Sequence, residues 1–317
     1  LNNSIVKGHY AEVFRAKDSV FITKRALAIT KQENDSIFVH SDTLMITGPP
    51  DQRIVRAFYN AKMYKSDLSG KADSIHMNQN TGLTQLINFY DTDSEDAFSK
   101  RRHPILWHHE NQITGDSIHL ISNSKTESLD SLKVFENAFV ISKDSLGAGY
   151  NQISGKKLDG LFKDNELHTI DVIKNAESIY FLRNADNELV GIDKSKSGKM
   201  RIWVSENKID ELRKINQIDG KTYPEDDFPE NERILKGFVW RETERPRSVE
   251  DLFSEDPPLE LPVIKGLGVH SPQAAFFDKS LGNRVESAGK PPKKTQEKLL
   301  NNKAGRKIPK SLSKAEK

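Results

Sequence analysis

Asp35-Ser36-Ile37-Phe38-Val39-His40-Ser41-Asp42-Thr43-Leu44-Met45-Ile46 carries one five-residue pattern twice: acid, hydroxyl, apolar, any residue, apolar. Side chains of a strand alternate between two faces, so Ile37 and Val39 share a face, as do Leu44 and Ile46. Asp, Ser and Thr at the head of each unit bond nearby backbone and favour turns over regular structure. Each unit therefore reads as a short strand that begins in a turn and has one aliphatic face. The pattern recurs as Asp18-Ser19-Val20-Phe21-Ile22, Asp73-Ser74-Ile75-His76-Met77, Asp116-Ser117-Ile118-His119-Leu120 and Glu177-Ser178-Ile179-Tyr180-Phe181, with degenerate copies after Glu127 and Asp144.

Self-similarity of this kind marks a repeat architecture. A second element keeps its own register: Phe58-Tyr59-Asn60-Ala61, Phe135-Glu136-Asn137-Ala138 and Ile173-Lys174-Asn175-Ala176. Asn60 to Asn137 is 77 residues and Asn137 to Asn175 is 38, close to a two-to-one ratio, which predicts a repeat near 38 residues with one divergent copy. Ile113-Thr114-Gly115 and Ile153-Ser154-Gly155 mark strand ends where glycine permits a bend or bulge. Asp164-Asn165 reads as the centre of a hairpin. Helical periodicity is nearly absent through residue 245. The expectation is an all-β body over residues 1–245, an elongated β-solenoid or β-jellyroll (β-taco) of stacked short antiparallel strands. Residues 246–317 change texture, with Pro257-Pro258, Pro262, Pro291-Pro292 and many lysines, and predict a largely disordered C-terminal tail with at most a short helix near Thr295–Leu300.

Composition bounds function. Of 317 residues, 30% are charged and 35% apolar, which suits a thin extended core better than a large spherical one. A net charge of +2 argues against a dedicated nucleic-acid binder. From Lys290 onward, however, ten basic residues face only Glu297 and Glu316, a run that reads as a solvated tail. With no cysteine, disulfides and thiolate metal sites are excluded. No stretch approaches the roughly 18 consecutive apolar residues of a membrane-spanning helix. The start, Leu1-Asn2-Asn3-Ser4, resembles neither a signal peptide nor an initiator end, so a fragment or processed product is expected.

Motifs for chemistry mostly fail. Gly220-Lys221-Thr222 ends like a P-loop, but Ile215 stands where the first glycine must be. His108-His109-Glu110 lacks the spacing of a helical zinc motif, and adjacent strand residues point to opposite faces, so no metal is assigned. Asp91, Asp93, Glu95 and Asp96 lack the glycine and terminal glutamate of a calcium loop. The many Asp-Ser pairs suit equivalent turns, whereas an active site needs one constellation. No catalytic residue and no cofactor is assigned. Open sheet ends predict end-to-end β-augmentation with similar modules and self-association. The rival readings are a carbohydrate-active β-helix enzyme, which needs paired carboxylates on adjacent rungs, and a purely structural or adhesive β-solenoid with a filled interior.

The segment Pro104-Ile105-Leu106-Trp107-His108-His109-Glu110-Asn111-Gln112-Ile113-Thr114-Gly115-Asp116-Ser117-Ile118 resembles the OstA-like (organic solvent tolerance) family in the longer form found in Bacteroidetes. Asp42-Thr43-Leu44, Gly237-Phe238-Val239-Trp240-Arg241 and Arg245-Pro246 resemble it too, so the likeness covers roughly residues 1–250, interrupted by an insertion over Asp91 to Arg102. That family is related to periplasmic LptA and the N-terminal domain of LptD. The resemblance implies a non-enzymatic periplasmic protein of the Gram-negative cell envelope. Its open groove would shield lipopolysaccharide acyl chains, and its partners would be other lipopolysaccharide-transport proteins. Inward apolar side chains would be the lipid contacts, here Val20, Ile22, Ile37, Val39, Leu44, Ile46, Ile75, Met77, Ile118, Leu120, Ile179 and Phe181. Shielding is worth having: each CH2 exposed to water costs about 0.8 kcal/mol, so a twelve-carbon chain costs roughly 10 kcal/mol.

Overall fold

The computed structural model describes residues 4–31, 35–49, 52–88, 104–123, 126, 128–144, 146–205 and 208–258. Among them every ladder is antiparallel, there is no α-helix, and all strands join in one 16-stranded sheet. The sheet is folded along its whole length. In β3 (Ser19–Lys31), residues 19–23 pair with β2 (Tyr10–Phe14), while residues 27–30 pair with β1 (Ser4–Lys7). Lys24 and Arg25, both at φ 59°, turn the corner between the two arms. β1 and β2 are themselves the arms of one folded strand, broken at Gly8-His9.

The chain repeats this unit. Intact folded strands are β4 (Ser36–Thr47), β5 (Ile54–Lys65), β6 (Leu68–Asn78), β11 (Leu129–Lys143), β12 (Tyr150–Lys163), β13 (Glu166–Arg183) and β14 (Leu189–Ser205). Interrupted ones are β7 (Leu83–Ile87) with β8 (Ile105–His108), β9 (Asn111–Thr114) with β10 (Ser117–Ser122), and β15 (Lys208–Ile215) with β16 (Asp219–Tyr223). One set of arms makes a first wall and the other set a second wall. The walls are joined along the corner line, and ladders run only within a wall. The predicted hairpin is present, with Asp164 and Asn165 both at positive φ between β12 and β13.

The two sequence repeats are the two halves of one joint. Tyr59-Asn60, Glu136-Asn137 and Lys174-Asn175 all have positive φ, a region that Asn tolerates better than most residues. The alanine that follows, Ala61, Ala138 or Ala176, is buried inside the corner. Across the ladder, Asn60 Nδ2 donates to Asp42 Oδ2 at 3.0 Å and Asn137 Nδ2 donates to Asp116 Oδ1 at 3.0 Å, so an acid of the first repeat receives the asparagine of the second. Gly115 and Gly155 lie beside these corners because a Cβ there would overlap Val134 and Val172. The divergent copy expected between Asn60 and Asn137 would fall between β7 and β8, outside the described residues.

Inward faces of both walls form one cluster running from Ile22 to Ile202. The outward face of the second wall is also covered, by a strap over residues 224–256 built from short 3-10 turns at Glu225–Asp227, Glu230–Glu232, Glu242–Glu244 and Glu250–Phe253. Leu252 of the strap is fully buried, and the compact unit runs through Asp256 instead of ending at residue 245. The predicted disorder and short helix of the remaining tail fall outside the described residues.

Candidate lipid-binding seam

Ten of the twelve predicted contacts belong to the seam between the walls. Ile22, Val39, Leu44, Ile46, Ile75, Met77, Ile118 and Leu120 are buried in its cluster, and Val20 and Ile37 pack against it. Ile179 and Phe181 do not. They lie on the outward face of the second wall, with Phe139, Ile141, Ile192, Phe228 and Leu235 under the strap. The reason is register. In β13 the corner at Lys174-Asn175 puts Ala176 and Ser178 inward, so Ile179 and Phe181, one residue out of step, face the other way.

The expected open groove is also corrected. Leu44, Ile75, Leu86, Ile118, Leu132, Val134, Leu158, Val172, Met200 and Ile202 fill the space between the walls at near-complete burial. A cavity of about 30 Å³, lined by His108, Asn111, Ile113, Val140, Ser142, Asn151, Ile153, Leu167, Ile170, Val204 and Ile209, lies between the lips. It has room for water but not for an acyl chain. What seals the seam is side-chain packing; no β-ladder joins the lips among the described residues.

Polarity is distributed unevenly. Toward the lip, the inward face of the second wall changes from Ile113, Val140 and Ile153 to Asn111, Ser142 and Asn151. At the C-terminal end the two walls are tied by an ionic contact. Lys214, paired beside Met200 on the first wall, donates to Asp193 Oδ2 at 2.7 Å and to Ser195 Oγ at 2.6 Å on the second.

At the lip itself, the tip of β8 meets the tip of β13. His109 has φ 48°, which takes it out of the strand and brings its ring to 4.4 Å from that of His108. The strand alternation assumed for this pair therefore fails at the second residue. His109 Nε2 lies 3.2 Å from Glu166 Oε2 on the opposite wall, and the ring of His108 packs edge-on against Phe162 at 5.5 Å. Burial pushes the His108 pKa down to about 4, with the neighbouring His109 adding to the effect, so the ring is neutral at physiological pH.

No protein-family model matches the chain, and no curated protein matches it. Among solved structures, LptH, described as the LptA-homologous periplasmic component of the lipopolysaccharide transport device of Pseudomonas aeruginosa, is similar over 50% of this chain and 99% of its own. The two share 10% identity, with a TM-score of 0.35.

The strap is the feature sequence reasoning missed. Gln112 accepts from Arg241 N at 2.7 Å and donates to Val239 O at 2.7 Å; Gln152 accepts from Leu235 N at 2.9 Å and donates to Arg233 O at 2.8 Å. Each buried carboxamide thus pairs with strap backbone as a strand neighbour would. The signal was present, since Asn111-Gln112-Ile113-Thr114-Gly115 and Asn151-Gln152-Ile153-Ser154-Gly155 repeat the glutamine along with the glycine. Further along, Lys71 Nζ donates to Glu255 Oε1 at 2.7 Å and Glu244 Oε2 at 3.0 Å, and His40 Nε2 lies 2.9 Å from Asp256 Oδ1.

Proposed function

We propose that the seam takes up the acyl chains of an amphiphilic envelope lipid, of the lipopolysaccharide class, and that the protein shields and passes on this cargo without chemistry. The observation that carries the reading is the long apolar seam between two walls tied by backbone along one side only. Parting the lips exposes two aliphatic faces at once, and acyl chains entering between them replace wall-to-wall contacts by equivalent apolar ones. Burial is non-directional, so the exchange costs little beyond breaking the lip contacts. The polar lip at Asn111, Ser142 and Asn151 suits the head of an amphiphile whose tails lie deeper. The sequence resemblance to the OstA-like family points the same way and supports a periplasmic location.

Assembly with similar modules fits the sheet ends. Among the described residues β1 and β2 each pair only with β3, and β15 and β16 only with β14, so both ends present strand edges without a partner there. Tyr10, Val13 and Phe14 on β2 are exposed. End-to-end β-augmentation with other transport components, or with a second copy, uses these edges.

A second reading, a purely structural or adhesive jellyroll, is favoured by the filled interior. Photocrosslinking separates the two. A benzophenone residue at Ile118 or Leu120, facing inward, forms lipopolysaccharide adducts on the first reading, while one at His119, facing outward, forms none. Equal labelling at the three positions, or none at any, supports the second reading.

A further inference from the structure

We propose that His108, His109 and Glu166 form a divalent metal site, suited to zinc(II), that pins the lips of the two walls together. The three residues come from opposite walls, and one ligand atom of each lies within 4.8 Å of the others. His109 Nε2 and Glu166 Oε2, at 3.2 Å, already have the separation that tetrahedral zinc imposes: bonds of about 2.0–2.1 Å put neighbouring ligand atoms roughly 3.4 Å apart. Only His108 has to swing closer, by up to about 1.4 Å.

An independent observation points into the same spot. His108 is 1% exposed, yet its Nε2 has no hydrogen-bond partner. A fold normally satisfies such buried groups, so the unpartnered His108 Nε2, next to the His109–Glu166 ion pair, calls for a ligand. Second neighbours hold the set in place. The backbone of Asn165 hydrogen-bonds the His108 ring and leaves Nε2 free, while the Asp67 carbonyl accepts from His109 N at 3.2 Å. The Glu166 carboxylate supplies negative charge to offset that of the cation. Two nitrogens and one oxygen, with the fourth position open to water on the half-exposed Glu166 side, suit zinc better than the all-oxygen sets of calcium or magnesium. The site stands on these contacts whether or not the seam takes lipid.

The test uses the full chain, without an affinity tag and stripped of metal, titrated with zinc(II) chloride by calorimetry and with cobalt(II) by visible absorption. One ion per chain is expected, with intense cobalt bands of a four-coordinate site and a melting temperature that rises with zinc. Glu166→Gln and His109→Gln should each weaken binding by about ten-fold or more, whereas His119→Gln, outside the cluster, should leave it unchanged. Circular dichroism shows that the variants fold; Glu166 is more than half exposed, so its replacement does not disturb packing. The proposal is overturned if cobalt shows only the weak bands of the hydrated ion, or if folded Glu166→Gln binds zinc as tightly as the original chain.

Discussion

Asn137 has two duties at its corner: it adopts φ 50°, and it donates to Asp116. Asn137→Ala removes both the tolerance and the bond, and should lower unfolding free energy by about 1–2 kcal/mol in a urea titration. Asn137→Gly keeps the backbone freedom and should cost less. If alanine and glycine cost the same, the left-handed corner is not what the asparagine is for. The neighbouring Ala138 is limited by space. Ala138→Leu forces a larger side chain into a filled corner and should destabilise by about 1–3 kcal/mol. These residues were readable in the sequence as a repeated asparagine and alanine. Their partnership with the acid-hydroxyl repeat was not, because it crosses between strands that only the fold brings together.

Among elements, the strap is where sequence and structure diverge most. The alternation of apolar residues identified strands and, for ten of twelve contacts, the inward face. It failed in β13 because the second wall is covered on both sides, so Ile179 and Phe181 are apolar for a reason unrelated to the seam. The covering segment has no periodicity to read; it is held by side chains on strands far away in sequence. Gln112→Ala or Gln152→Ala leaves a strap N–H and a strap carbonyl without partners, and should cost about 1–3 kcal/mol. Amide exchange over residues 233–241 should quicken in both variants; unchanged exchange would mean that the carboxamides do not hold the strap. The strap is also sensitive to acid. The hydrogen bond from Arg241, helped by Lys71, holds Glu244 down to about 2 from an ordinary 4.5. A depressed carboxyl stabilises the fold at pH above its ordinary value, so this contribution is complete above about pH 4.5 and is lost as pH falls toward 2. Amide protection of residues 241–256 should fall across that window, and Glu244→Gln should flatten the dependence.

For the compact unit as a whole, the folded sheet couples two needs. Ladders within each wall make the walls stiff, and among the described residues no ladder joins the lips, which leaves them separable. Repeat spacing foretold the stacked strands; the expected divergent copy falls outside the described residues. Whether the interior stood open could not be foretold, because an aliphatic face reads the same whether it meets lipid or another wall. The central claim is therefore that the lips part to admit acyl chains. The chain has no native cysteine, so His109→Cys with Glu166→Cys gives one reactive pair across the lip, which a short bis-maleimide can bridge. Uptake of fluorescently labelled lipopolysaccharide should be strong in the unbridged double variant and lost once the lips are bridged. Equal uptake before and after bridging would contradict the account.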